Sequence, residues 1–228
     1  MKTYPLEISL ESPTIAASGE GWNAVIDTDI VFDDLGLPYI PSKRIKGCLK
    51  DAAQDIDEMF DLAGIDFKKE LDINNTFGQP GLLSGASVYF SNLTIEDYEN
   101  TRQWLNHLMA MQKYDSIISP EAVLKTFTDL RWQTAIADGV AEKHSLRTAR
   151  VIRKGVRFLG NIQIVTELPG KKDIDESKIL NTLILACSVC RHMGTSRTRG
   201  FGEITCRLKS TDGTYFPIPE KLEASCMN

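Results

Sequence analysis

Apolar and polar positions alternate loosely over residues 3–10 (TYPLEISL), which predicts a strand. A turn-rich segment, SPTIAASGEGWN, follows, with Gly19 and Gly21 as breakers. A second extended run, VIDTDIVF (25–32), ends in a turn around Asp33-Asp34-Leu35-Gly36. Pro38 and Pro41 then hold the chain extended, and Ser42 stands where a helix N-cap belongs. From there Ile45, Cys48, Leu49, Ala52, Ala53, Ile56 and Phe60 recur at helical spacing, so 42–60 is expected to be an amphipathic helix.

Residues 61–84 read as loop, with a turn at Phe77-Gly78-Gln79-Pro80-Gly81. GASVYFSNLTI (85–95) reads as a strand, 97–112 as a helix and 119–127 as a shorter one. Periodicity fades from Asp129 to Arg157, which predicts irregular or extended chain. VRFLGNIQIVTEL (156–168) is again strand-like. After the Pro169-Gly170 break comes a helix whose expected core face is Ile179, Leu180, Leu183, Ile184, Cys187 and Cys190, stopped at Gly194. FGEITCRLKS (201–210) is the last strand, ending before a turn at Asp212-Gly213. Without the insertions the order is strand, helix, strand, strand, helix, strand. That is the α+β, ferredoxin-like (RRM-like) βαββαβ arrangement: one antiparallel sheet with both helices on one face. It predicts a single domain over 1–228, with core 1–95 and 157–211. An inserted loop follows the first strand, and a larger insertion covers about 96–156.

The 228 residues are 42% hydrophobic and 25% charged, enough to bury a core and unlike a disordered chain. No apolar stretch approaches the ~18 residues that span a bilayer, and MKTYPLEISLES lacks the apolar run of a signal peptide. Five cysteines, an odd number without framework spacing, suit reduced thiols, so a cytoplasmic protein with no membrane partner is expected. A net charge of −5 argues on average against nucleic-acid binding. Binding depends, though, on where charges sit.

They sit in clusters. KHSLRTARVIRKGVR carries Lys143, Arg147, Arg150, Arg153, Lys154 and Arg157 with His144, and no acid intervenes from Lys143 to Thr166. RHMGTSRTRGFG holds Arg191, Arg197 and Arg199, and the 42–60 helix opens with Lys43, Arg44, Lys46 and Lys50. The acids collect chiefly in 51–72. These clusters are either separate solvated faces or, in the arrangement above, parts of one polyanion-binding surface. Gly194, Gly200 and Gly202 bracket two arginines and three hydroxyls. Such a loop lets backbone N–H groups approach a phosphate while arginines fork onto its oxygens, or it is simply a helix end entering a strand. It matches neither a Walker A loop nor a dinucleotide fingerprint.

Four segments in order then resemble the RAMP superfamily of CRISPR interference subunits. GLPYIPSKRIKG (36–47) is similar to its signature before the first helix, and GTSRTRGFGEI (194–204) to its C-terminal glycine-rich loop. FGQPG followed by GASVYFSNLTI resembles the second core strand. FTDLRWQTAIADGVAEKHSLRTARVIRKGVRFLG (127–160) resembles the run through a thumb-like insertion into the third strand. Within the superfamily the likeness is to type III effector subunits, either the repeating backbone subunit or its III-D relative. The compact length favours a backbone subunit over longer capping relatives.

The resemblance implies a fold that polymerises along guide RNA (crRNA), gripping phosphates and splayed bases without reading sequence. Implied partners are crRNA, target RNA, a large polymerase/cyclase-like subunit, a guide 5′-end cap subunit, small subunits and further backbone subunits. The thumb would fall within 110–150. Implied RNA contacts are Lys43, Arg44, Lys46, Lys50, Arg147, Arg150, Arg153, Arg197, Arg199, Trp132 and His144. Backbone subunits of this kind can also cut target RNA with a loop aspartate upstream of the Gly-Leu-Pro-Tyr-Ile-Pro motif. Counting back from Asp33 lands on Asp27, with Asp29 its competitor because the connection to Gly36 is one residue shorter. The carboxylate would hold a divalent Mg or Mn ion, or assist proton transfer, while the RNA's own 2′-OH attacks.

Bland alternatives stand beside each reading. Asp27 and Asp29 also suit a polar edge in VIDTDIVF, odd positions facing solvent and even ones the core. A non-catalytic capping or structural subunit is the alternative function. A CRISPR repeat-RNA processing endonuclease is a second, disfavoured because no histidine precedes His107. Cys187, Cys190 and His192 are too few and wrongly spaced for structural zinc, and core packing explains the cysteines. Trp104, at helical spacing with Leu105 and Leu108, reads as core.

Overall fold

A computed structural model describes residues 2–17, 26–79, 85–114, 116–137, 140–142, 144–166, 174–220 and 222. Strand β1 (Lys2–Leu10) is an interior strand of the main sheet, paired along both edges. Its Tyr4, Leu6, Ile8 and Leu10 are buried in one core, as the alternation requires. The chain then passes through 26–37 to β2 (Tyr39–Ile40) and helix α1 (Ser42–Ala63). The N-cap is Pro41 rather than the expected Ser42, whose N–H instead bonds Asn92 Oδ1 at 2.9 Å. α1 buries Ile45, Leu49, Ala52, Ala53, Ile56 and Phe60 and stops at Gly64, whose φ of +67° only glycine adopts freely.

The expected loop over 61–84 is largely helical in its described part. A 3₁₀ helix (Asp66–Glu70) buries Phe67, and α2 (Ile73–Phe77) buries Phe77. Asp72 caps α2 by accepting from the Asn75 N–H. Both turns are too short to show a period, which is why the pattern reads as loop. β3 (Val88–Phe90) and β4 (Leu93–Ile95) are one expected strand interrupted at Ser91-Asn92, and both pair with the same neighbour.

Helices α3 (Tyr98–Ala110) and α4 (Pro120–Phe127) lead into β5 (Thr128–Gln133), the small β6–β7 hairpin (Ile136–Ala137, Val140–Ala141) and β8 (Arg147–Ile152). β5 and β8 pair antiparallel from Thr128–Ile152 to Gln133–Arg147, so the stretch expected to be irregular or extended is a two-stranded ribbon. Its outer end is exposed on both faces, so burial imposes no alternation there. β9 (Arg157–Ile164), α5 (Glu176–Val189) and β10 (Ile204–Leu208) complete the chain's main elements.

The main sheet runs β10-β1-β9-β4-β2, with β3 also on β9, and these strands pair antiparallel. α1 and α5 pack on each other and share the core with the Tyr4–Leu10 face, so both lie on one side of the sheet. α5 ends at Val189, not at Gly194, and buries Ile179, Thr182, Leu183, Leu185, Ala186 and Cys187. Cys190, just past its end, is also core. Trp104 is not core: it is 66% exposed, its ring edge-on to His107. The rest of α3 rests on the core through half-buried Tyr98, Leu105 and Met109, so its apolar stripe is narrower than spacing implies. Among the described residues no helix is long and apolar enough to cross a membrane. Gly19, Gly21, Pro80, Gly81, Lys143 and the Pro169-Gly170 break lie outside the described residues.

Candidate nucleic-acid interface

The glycine-rich loop is built by close packing. Gly194 (φ +90°) and Gly202 (φ +79°) sit where a Cβ would lie 2.4 Å from Ile15 O and 2.1 Å from Met193 O. Thr195 N–H donates to Ile15 O at 3.2 Å and Gly202 N–H to Pro13 O at 3.0 Å, stitching the loop to 13–15. These two glycines therefore serve chain packing. Gly200 (φ +78°) faces open space. Between them Arg197–Arg199 form an exposed 3₁₀ turn.

That turn links two elements. Arg197 Nε donates to Gly194 O at 3.1 Å, and its charge opposes the burial that raises the pKa of the Cys48 thiol in α1. Arg44 acts on the same thiol and donates from Nη2 to Ala17 O. On the other side, Arg199 Nη1 donates to Gln133 Oε1 at 3.3 Å, reaching the β5–β8 ribbon. Gln133, Thr134, His144, Ser145, Arg147 and Arg199 line an open groove of about 720 Å³, shared with Ile136 and Glu142. His144 stands in it with φ +62°, in the left-handed region unusual for a residue with a Cβ. Thr134 and Ser145 hydroxyls bond across the ribbon at 2.7 Å. Sequence reasoning missed Gln133, Thr134 and Ser145, because no local signal marks uncharged polar residues that only the ribbon's pairing brings together.

Arg147 joins this groove to Asp27. Its Nη1 lies 3.5 Å from Asp27 Oδ1, while Thr148 N–H donates to Asp27 Oδ2 at 2.7 Å and Asp27 N–H to Thr148 O at 2.9 Å. The Asp27 side chain is 41% exposed. Asp29, two residues on, is 2% exposed, against the expectation that odd positions of VIDTDIVF face solvent. Its Oδ1 accepts from Ile30 N–H at 2.8 Å and lies 3.1 Å from Arg150 Nε. The guanidinium of Arg150, its side chain 18% exposed, is also placed 5.9 Å from the Phe32 ring centroid.

The remaining expected contacts scatter. Lys43 lines a separate hollow of about 450 Å³ with Arg44, Val31 and Asp51. Lys50 donates to Gly78 O at 3.3 Å, toward α2. Lys46 is half-buried on α1. Arg153 is tied to Asp129 at 2.9 Å and to Thr126 O, at the base of the ribbon. Trp132 is 66% exposed, on the face of β5 opposite Gln133. Cys187 and Cys190 are buried and His192 exposed. Among the described residues no three metal-ligating side chains gather. A hard divalent ion would then have Asp27 as its protein ligand and take its other oxygens from substrate phosphate and water, a donor set Mg²⁺ accepts.

A family model described as the RAMP superfamily matches residues 7–205. The chain belongs to the RAMP superfamily. Its fold is similar to a chain of the cryo-EM structure of the Type III-B Cmr-beta bound to cognate target RNA, at 14% identity and a TM-score of 0.61, covering 91% of this chain and 97% of that one. It is equally similar to a chain of the Type III-B Cmr-beta apo state, at 14% identity and a TM-score of 0.62, covering 92% and 98%. No curated protein matches. In this RAMP chain the segment 36–47 begins at a packing glycine: a Cβ on Gly36 would lie 2.1 Å from Pro120 O. Asp33 holds that turn, accepting from Leu35 and Leu37 N–H groups and from Tyr98 and Arg102.

Proposed function

We propose that this chain is a guide-RNA-binding backbone subunit of a type III CRISPR interference complex, with Asp27 taking part in cutting guide-paired target RNA. The sheet order and the two helices on one face support a ferredoxin-like core, with α3 to β8 as insertion and the ribbon as its thumb. The observation that carries the reading is the chain of contacts from the glycine-rich loop through Arg199 and Gln133 to Arg147 and Asp27. It gathers cations from two distant stretches of a polypeptide of net charge −5 beside one exposed carboxylate. Membership of the RAMP superfamily and likeness to a chain solved with cognate target RNA support RNA as the ligand.

In this reading Arg197, Arg199, Arg147 and His144 take backbone phosphates, and Lys43 and Arg44, in their own hollow at the start of α1, offer a second phosphate contact. Arg153 and Arg150 are engaged internally. Asp27 presents one carboxylate oxygen near Arg147 while Thr148 N–H fixes the other. A divalent ion bound there would supply charge for the phosphorane-like transition state of 2′-OH attack. Arg147 stabilises the same developing charge from the protein side. The other partners are target RNA and the neighbouring effector subunits.

The test is a reconstituted complex carrying Asp27→Ala. Guide RNA should still co-purify and target RNA should stay uncut. Cutting at the unmodified rate would favour a second reading, a non-catalytic structural subunit. What supports that reading is the tethered state of the carboxylate, together with the lack of any group of three metal-ligating side chains among the described residues.

A further inference from the structure

We infer that Asp29 and Arg150 form a positioning pair that sets the register of the segment bearing Asp27, and that Arg150 does not contact RNA. The inference rests on the proposed role of Asp27. Residues 26–30 belong to no extended strand. Among the described residues they lie along β8 through one parallel bridge, Thr28 with Ala149, and the bonds Asp27 N–H to Thr148 O, Thr28 N–H to Thr148 O and Arg150 N–H to Thr28 O. On the other side only Ala17 bridges Ile30 among the described residues. So short a ladder fixes register weakly.

The ambiguity is specific. Asp27 and Asp29 are two residues apart and share a face of extended chain. A slip of two in one direction would set Asp27 against Arg150, away from Arg147 and the groove, and a slip of two in the other would put Asp29 beside Arg147 in its place. Asp29–Arg150 removes that alternative, because a buried carboxylate needs a charged partner. Asp29 has one at 3.1 Å, and Phe32 closes the guanidinium from another side. Burial keeps Asp29 from a substrate phosphate and leaves Arg150 little surface. Two atoms of the pair, Asp29 Oδ2 and Arg150 Nε, lack an aligned hydrogen bond. The pair is therefore held by charge more than by fork geometry, and a lysine at 150 retains most of its effect.

The experiment compares Asp29→Asn, Arg150→Met, Arg150→Lys and the double variant Asp29→Asn/Arg150→Met in the reconstituted complex. With saturating target, Asp29→Asn and Arg150→Met are expected to slow single-turnover cutting by at least about tenfold, because small misplacement of a reacting group is costly. The Mg²⁺ concentration for half-maximal rate should rise, Arg150→Lys should recover much of the rate, and guide affinity and its salt slope should stay as in the unmodified complex. Should either single variant fail to fold, the double variant, which leaves no uncompensated buried charge, carries the comparison. A shallower salt slope with unchanged rate at saturation would make Arg150 an RNA contact and overturn the inference. Amide hydrogen exchange of Asp27 and Thr148 in the same variants decides independently of activity: it should quicken, and unchanged protection overturns the pair's role. If Asp27→Ala cuts normally, the cleavage reading alone falls, and the exchange result still judges the pair.

Discussion

Arg199 Nη1 and Gln133 Oε1 meet at 3.3 Å although 66 residues separate them in sequence. This contact sets the glycine-rich loop and the ribbon on one wall of the groove. Arg197→Ala and Arg199→Ala are therefore expected to weaken guide RNA binding. Each lost phosphate contact should also flatten the dependence of log affinity on log salt by about 0.7. Filter binding between low and moderate salt measures both. An unchanged slope would remove these arginines from the phosphate track.

The glycines of the same loop are separable by experiment. Gly202→Ala meets Met193 O at 2.1 Å and needs φ +79°, so both steric overlap and left-handed backbone oppose it. A loss of roughly 2–5 kcal/mol is expected, from about 1–3 for overpacking and about 1–2 for the backbone. Gly200→Ala has φ +78° but open space, so only the backbone part, about 1–2 kcal/mol, remains. Urea midpoints should fall in that order. Equal losses would mean that Met193 moves aside without cost.

The core elements were readable because burial on one side stamps a period on the chain: β1, α1, β9 and α5 all carry it. The ribbon was not, because Leu130, Trp132, Ile136, Val140 and Leu146 are exposed and no core selects their spacing. The basic residues of the site were visible as composition, but their sorting was not. Whether Arg150 faces RNA or Asp29 depends on which face of β8 meets residues 26–30, a tertiary choice with no local trace. Asp29 broke its alternation for the same reason: Arg150 supplies the charge that lets an odd position be buried.

Glu7 and Lys209 give the sheet a pH dependence. Glu7, 8% exposed, accepts from Lys209 Nζ at 2.8 Å. That hydrogen bond is the chief cause holding Glu7 below the usual carboxylate range, against desolvation, and it raises Lys209 above an ordinary lysine. A depressed acid contributes stability above its unfolded pKa and loses it as pH falls through its lower folded value. A raised lysine contributes below about 10.4 and loses its share as pH rises through its folded value. Melting temperature should thus hold level across neutral pH and decline at both extremes. Glu7→Gln should lower the plateau and blunt the acid decline; an identical acid limb would exclude Glu7 as its source.

Trp132 and Trp104 are both 66% exposed, so exposure alone assigns neither to RNA. Their neighbours differ. Trp132 stands across the ribbon from Thr148, whose N–H holds Asp27, and diagonally from Arg150. Trp104 lies edge-on to His107 on α3, a helix tied by Arg102 to Asp33 and Asp34 and remote in its contacts from the groove. If a base stacks on Trp132, Trp132→Ala should cost about 1–3 kcal/mol of RNA affinity, or roughly 5- to 150-fold. Its salt slope should be unchanged, because no phosphate contact is lost. Trp104→Ala should leave RNA affinity as it is. The reverse pattern would move the nucleic-acid interface from the ribbon to α3, and the groove between Arg199 and Asp27 would lose its assigned role.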